Sequence, residues 1–256
     1  MLDITYPPVI VTAKVLFRLM RQRVVVSGSE NVPRKGGALL AINHTGYIDF
    51  IFAGAGAEPQ KRLVRFMIKK EMMDQVGVGH LLRSFHHIRV DRSAGEQALS
   101  DAKDYLESGE IVGIYPEATI SRSFEIKELK TGAVRIAAEA GVPLIPVIVW
   151  GAQRLMTKDH PKDFSRTART ITVKVGEPIA VTGEDVAAET ALLRERMRTM
   201  LDEVIADYPD GEKAPGSWWT PARFGGGAPT PEVAEKMDAD ELAARAAKKA
   251  EHDAQK

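Results

Sequence analysis

No cysteine occurs anywhere in the 256 residues. Disulfides, thiolate metal sites and covalent cysteine intermediates are therefore excluded by composition, an absence that suits a reducing compartment. No G-x-S-x-G run occurs either, so the nucleophile elbow of serine hydrolases has no local counterpart. Long apolar runs are scarce as well. The best candidate, YPPVIVTAKVLFRLMRQR at residues 6–23, is broken by Lys14 and Arg18 and ends on Arg21 and Arg23. A bilayer-spanning helix needs about 20 mostly apolar residues, and a signal peptide carries its basic residues before the apolar run. Neither pattern is met. The GVGHLL piece lacks the third glycine of a nucleotide loop and does not stand between a strand and a long helix. His80, His86 and His87 lack carboxylates at ligand spacing, so no metal site is expected, and His86 and His87 read as ordinary polar residues on opposite faces of a strand.

Net charge is also lacking, since 35 Lys+Arg balance 35 Asp+Glu. The balance hides an asymmetry: residues 1–92 carry 14 Lys+Arg against 7 Asp+Glu, which leaves the remainder acidic by seven. A basic half suits phosphate, an anionic lipid surface or nucleic acid, and it equally suits a solvated face with no partner. What the chain does have is apolar content, 44% hydrophobic residues, enough to bury the core of one large α/β domain with appendages.

Three segments follow from composition. Residues 1–23 form an amphipathic helix with Val9, Leu16, Phe17 and Met20 available for burial and a basic remainder; it can lie in a membrane interface or pack on the core. Residues 24–208 alternate strand and helix patterns. RVVVSG (23–28), ALLAI (38–42), RLVRFMI (62–68), FHHIRVDR (85–92), EIVGIYP (110–116), VPLIPVIVW (142–150) and ITVKV (171–175) read as strands. KKEMMDQVGVGHLLRSF reads as broken helix, and Ser93 to Glu96 as a capping box opening a helix on Ala98, Leu99, Ala102, Tyr105 and Leu106. TGAVRIAAEAG is a further helix, and Glu184 to Asp207 a long one burying Leu193, Met197, Met200, Leu201 and Val204. Residues 209–256 change to a Gly/Pro-rich stretch with Trp218 and Trp219 and then to a charged, alanine-rich one, read as a poorly structured extension. The fold class is α/β, a mixed and largely parallel sheet covered by helices on both faces.

One stretch concentrates chemistry. NHTGYIDF, residues 43–50, sets His44 and Asp49 across a strand-to-helix junction, where the first helical turn can bring them within hydrogen-bond reach. An imidazole held by a carboxylate keeps one tautomer and leaves its other nitrogen free to take a proton. The same spacing also fits a polar turn with a carboxylate at a helix N-terminus. A second buried strand leads into Glu117, Ala118 and Thr119, repeating the delivery of polar groups to a strand's carboxyl end, where open α/β sheets bind ligands.

Taken in order, Asn43-His44 with Asp49, Arg92 ending a strand, Tyr115-Pro116-Glu117-Ala118-Thr119, and Val142-Pro143-Leu144-Ile145-Pro146 resemble the four blocks of the glycerolipid acyltransferases, most specifically the bacterial 1-acylglycerol-3-phosphate acyltransferases. The likeness runs from about Val24 to Gly151, roughly half the chain. It implies transfer of a fatty acyl group from a thioester, acyl-CoA or acyl carrier protein, to the sn-2 hydroxyl of a lysophospholipid, giving phosphatidate for phospholipid synthesis. It implies no cofactor beyond that co-substrate, no metal, no nucleic acid, and a peripheral place on the cytoplasmic face of the cell membrane. By the same resemblance His44 is the base and Asp49 orients it. Arg92 holds the acceptor phosphate, Glu117 and Thr119 position the glycerol end, and Lys69 and Lys130 add positive charge. The fourth-block prolines shape the acyl and sheet region. Two positions depart from the pattern. Ala118 stands where the family has glycine, a misfit if that position needs positive φ. Ile120 stands where the family usually has arginine, with Arg122 two residues later. Either Arg122, Lys69 or Arg89 compensates, or the acceptor is another membrane molecule such as a glycolipid or lipid amine. A non-catalytic, membrane-binding protein retaining the fold is the alternative outside catalysis.

Overall fold

Two strands, ALLAI and LIPVIVW, are apolar almost throughout, the pattern of strands covered on both faces. They are β2 (Ala38–Ile42) and β6 (Leu144–Trp150), buried at every position and adjacent at the centre of one sheet. The computed structural model describes residues 3–91 and 95–254. Around the central pair, β1 (Gln22–Ser27), β3 (Val64–Lys69), β4 (Ile88–Val90), β5 (Ile111–Ile114) and β7 (Arg169–Val175) complete the order β1-β7-β6-β2-β5-β3-β4. From β6 to β4 all strands run parallel, whereas β7 pairs antiparallel with β6 and parallel with β1. The carboxyl ends of β6, β2, β5, β3 and β4 therefore share one edge.

Successive residues of a strand face opposite sides, and β2 divides accordingly. Leu39 and Ala41 join a cluster with Ala102 and Leu106 of α5 (Gly95–Glu107), Val134 and Ile136 of α6 (Gly132–Glu139), and Leu193, Met197 and Leu201 of α7 (Val186–Ala206). Leu40 and Ile42 face the other side with Phe52 and Ala53 of α2 (Asp49–Ala57), where Phe17 of α1 (Tyr6–Leu19) stacks on Phe52 at 4.7 Å. Two short helices, α3 (Lys70–Met73) and α4 (Val78–Ser84), follow β3, and α8 (Pro231–Ala254) is the last helix. No helix among the described residues is long and apolar enough to cross a membrane.

The expected elements are present among the described residues, with three differences. The strand expected over 85–92 is only Ile88–Val90, because His86 takes a left-handed φ of 56° and His87 is buried, accepting the Phe66 N–H at 3.2 Å. The two histidines therefore do not lie on opposite faces of a strand. Burial pushes the His87 imidazole down to about 3, so it packs as a neutral ring. Ser93, the expected start of the capping box, lies outside the described residues. On α1, Leu16 faces outward at 52% exposure instead of joining Met20 in the core. Last, the C-terminal region is ordered: Trp219 and Ala228 share a buried cluster with Trp150 and Tyr208, and Trp218 stacks on His160 at 3.9 Å. The apolar area of the two indoles explains why a Gly/Pro-rich stretch holds a fixed path.

The Asn43 side chain caps the gap where β2 ends and β6 continues. Its Oδ1 accepts the Val149 N–H at 2.7 Å and its Nδ2 donates to the Val149 carbonyl at 3.1 Å, all fully buried. Asn43→Ala orphans both backbone groups, at roughly 1–3 kcal/mol for each buried unsatisfied group. A lowered urea midpoint with unchanged slope is the expected result.

Candidate active site

The chain leaves β2 at Ile42 and begins α2 at Asp49, so residues 43–48 must turn within six residues. The turn is organised by one oxygen. Asp49 Oδ2 accepts the Thr45 and Gly46 amides, each at 2.7 Å, and lies 3.2 Å from His44 Nδ1. A carboxylate at the first position of a helix also faces the positive end of the helix dipole. Gly46 fits where nothing larger would: a Cβ there would lie 2.8 Å from the Met156 carbonyl oxygen and 3.1 Å from Asp49 Oδ1. With Nδ1 facing the carboxylate, the hydrogen-bond network assigns the proton to Nδ1 and leaves Nε2 as acceptor. The imidazole is 21% exposed while Asp49 is fully buried, so the ring reaches the surface and its partner does not.

The segment after β5 closes over the same turn. Glu117 Oε1 accepts the His44 N–H at 2.8 Å and Oε2 accepts the Lys127 N–H at 3.1 Å, while the Ser121 N–H donates to the His44 carbonyl at 2.8 Å. His44 is thus clamped by its own backbone from both sides. Burial pushes Glu117 up to about 7, against the opposing pull of its two backbone donors and the Lys127 charge. The Tyr115 ring stacks on the imidazole at 4.2 Å, and its buried hydroxyl has no hydrogen-bond partner. From the loop after β6, the Thr157 hydroxyl donates to the Thr45 carbonyl at 2.6 Å.

Other expected residues fall in varied places. Thr119 is half-buried, and its hydroxyl accepts from Lys127 Nζ at 2.7 Å. Lys69 is exposed at the carboxyl end of β3, on the same sheet edge as His44. Arg92 lies outside the described residues. Arg89 is half-exposed on β4 and pairs with Asp74, and Lys130 is exposed. Arg122 is 7% exposed and held by Asp159, Asp238 and Glu241. Ala118 does take positive φ, 61°, so its methyl carries the strain a glycine would avoid. Ile120 is buried. The fourth block lies away from this cluster. Leu144 pairs with Leu39 and Val147 with Ile42, which puts Val142–Pro146 at the amino end of β6, roughly 15 Å along the strand from the level of His44 at ~3.3 Å per residue. Sequence reasoning missed Tyr115 as a stacking partner, although it adjoins the third block, and Thr157, for which no local signal exists.

The fold and the site together define an α/β protein with a histidine–carboxylate pair at a strand-to-helix junction. A family model described as Acyltransferase matches residues 23–150. A 1-acyl-sn-glycerol-3-phosphate acyltransferase of Bacillus subtilis (strain 168) is 31% identical over 193 residues, covering 72% of this chain and 92% of that one. A protein of the same name from Borreliella burgdorferi is 27% identical over 143 residues, 54% of this chain and 55% of that one. The solved 1-acyl-sn-glycerophosphate acyltransferase of Thermotoga maritima shares the fold, with TM-score 0.61 and 23% identity over 77% of this chain and 81% of that chain. The chain belongs to this acyltransferase family and is an acyltransferase.

Because the folded-state pKa of Glu117 is raised, the folded protein holds this proton more tightly than the unfolded chain does. Its contribution to stability is fully present below about 4.5 and is lost as pH rises through about 7. Glu117→Gln cannot ionise and turns one acceptor into an amide donor opposite a backbone N–H. The variant is expected to lose that pH slope and to be less stable by roughly 1–3 kcal/mol, read from urea unfolding at several pH values.

Proposed function

We propose that this enzyme transfers a fatty acyl group from acyl-CoA, or from acyl carrier protein, to the sn-2 hydroxyl of 1-acylglycerol 3-phosphate, giving phosphatidate. The observation that carries the reading is the His44 Nδ1 to Asp49 Oδ2 contact at 3.2 Å, made by a partly exposed imidazole and a fully buried carboxylate. The names of the Bacillus and Borreliella relatives support the choice of acceptor.

In this mechanism Asp49 fixes the imidazole, and Nε2 takes the proton of the acceptor hydroxyl as its oxygen attacks the thioester carbonyl carbon. The tetrahedral adduct collapses with cleavage of the C–S bond, and the imidazolium returns its proton to the departing thiolate. A thioester is already activated, so proton removal and positioning suffice, and a base of this kind contributes typically ~10²–10⁴-fold. Direct attack needs neither a resident cofactor nor an enzyme nucleophile. Glu117, Ser121 and Tyr115 keep the base in place. Arg92 and Lys69 are proposed to meet the acceptor phosphate, with Arg89 and Lys130 contributing positive charge around them.

A second reading concerns the acceptor alone. Ile120 is buried where the family carries an arginine, and Arg122 is held by three carboxylates. This favours including a glycolipid and a lipid amine beside lysophosphatidate as acceptors. Thiol release from palmitoyl-CoA is expected to depend on lysophosphatidate and to fall by roughly 10²-fold or more in His44→Ala. Release with another acceptor only would replace the substrate, and release without any acceptor would replace the reaction.

The enzyme is further proposed to sit peripherally on the cytoplasmic face of the cell membrane through α1. Val11, Val15 and Leu19 recur at helical spacing on its outward side, 60%, 53% and 60% exposed, beside exposed Leu16 and the basic Lys14, Arg18 and Arg21. Such a face suits the headgroup boundary. Each buried Val or Leu contributes about 1.5–3 kcal/mol. The double change Val15→Asp and Leu19→Asp is therefore expected to abolish cosedimentation with anionic liposomes without lowering the melting temperature.

A further inference from the structure

The last helix, α8, touches the rest of the molecule through little apolar surface. Ala234 is the one residue buried among those whose side chains are described on it, and Met237, Asp238, Asp240's neighbour Glu241 and little else are even half-buried. Its attachment is mainly ionic. Asp238 and Glu241, three residues apart and so on one face, meet three cations. Arg122 pairs with both, Lys127 pairs with Asp238, and Lys158 lies 3.4 Å from Asp238 and 3.0 Å from Glu241. The cations are sheltered, with side chains 7%, 28% and 14% exposed. Hydrogen bonds from Arg122 and Lys158 hold Glu241 down to about 2.

Each of these cations is placed by the loop that carries His44. Arg122 follows Ser121, whose N–H donates to the His44 carbonyl. Lys158 follows Thr157, whose hydroxyl donates to the Thr45 carbonyl. Lys127 shares Glu117 with the His44 amide, and its ammonium donates to Thr119. Three positive side chains thus leave backbone that contacts the His44 loop and converge on α8, where two carboxylates bridge them. A phosphate monoester carries about −1.5 to −2 charge and three acceptor oxygens, which matches the charge and acceptors that the two carboxylates supply. Arginine with lysines is also the side-chain set suited to phosphate.

We propose that Arg122, Lys127 and Lys158 form a phosphate-monoester site beside His44, and that Asp238 and Glu241 of α8 occupy it until a substrate phosphate displaces them. The inference rests on the acyltransferase reading for the source of the phosphate, which is either the 3′-phosphate of coenzyme A or the acceptor's 3-phosphate, the latter with these cations in place of Arg92 and Lys69. A helix bound mostly by ion pairs is suited to such exchange, because opening it exposes little apolar surface. The competition lowers apparent substrate affinity by the fraction of molecules with the site uncovered.

The test is hydrogen exchange of residues 231–254 in the full-length protein, alone and with saturating lysophosphatidate, monoacylglycerol, coenzyme A or dephospho-coenzyme A. Faster exchange with lysophosphatidate and not with monoacylglycerol assigns the site to the acceptor. Faster exchange with coenzyme A and not with dephospho-coenzyme A assigns it to the donor. In parallel, the double variant Asp238→Asn, Glu241→Gln is expected to lower KM for the assigned substrate by roughly 3- to 10-fold. Unchanged exchange with all four ligands overturns the proposal and leaves a structural ion-pair network, as does a lowered melting temperature with unchanged KM. Should the double variant fail to fold, exchange in the wild type decides alone. Acyl transfer that proceeds while α8 stays protected refutes this site and leaves the activity standing. Displacement of α8 without any transfer refutes the activity and leaves the site.

Discussion

Asp49 Oδ2 accepts two backbone amides and faces one imidazole nitrogen, and the geometry of the site depends on that single oxygen. The amides of Thr45 and Gly46 can both point at it only if the loop turns tightly over the start of α2. That turn in turn aims His44 out of the sheet edge. Gly46 is required by the same constraint, since a Cβ would strike the Met156 carbonyl. The histidine–carboxylate pair is therefore a consequence of how a helix N-terminus is satisfied, which makes the position of the imidazole as rigid as the backbone around it.

The second carboxylate works through the backbone. Glu117 binds the amides of His44 and Lys127, so the third-block segment and the first-block turn move as one piece. Tyr115 adds a stacked ring on one side of the imidazole, and Asn43 locks the strand end beneath it. These contacts are buried and come from adjacent parallel strands, whose register leaves no room for relative sliding. In the proposed mechanism, an imidazole held this way meets the substrate without reorganising at the moment of reaction.

The outer elements are attached differently. On the inner side of α1, Phe17 stacks on Phe52, and just ahead of the helix Asp3 makes a two-pronged ion pair with the buried Arg65. Its outer side keeps valines and leucines in the open. By contrast, α8 rests on charge, with its carboxylates placed over the cations beside the site. Apolar anchoring is insensitive to ionic ligands, whereas ion pairs exchange with them. A fixed core thus carries two surfaces of different chemistry, one suited to lipid and the other to anions.

Periodicity and local chemistry were enough to read the α/β class, the apolar central strands, the buried face of α7 and the His44–Asp49 pair, because each depends on residues close in the sequence. The six-residue span from His44 to Asp49 crosses one helix start, and its geometry follows from local rules. The positive φ at Ala118 came into view only through the family resemblance, as a condition on a position where the family carries glycine. Strand order was beyond reach, so the fourth block could not be placed at the far end of β6 from His44. The left-handed turn at His86, the stack of Tyr115 on His44 and the hydroxyl of Thr157 under the loop all arise from packing between segments distant in the chain. So does the order of the C-terminal region, where composition spoke for a loose tail and the indole of Trp219 found Trp150 and Tyr208. The sequence alone determined which groups could do chemistry. Tertiary structure decided which of the cations are already paired, because the partners of Arg122 lie up to 119 residues away and only the closed fold brings them together.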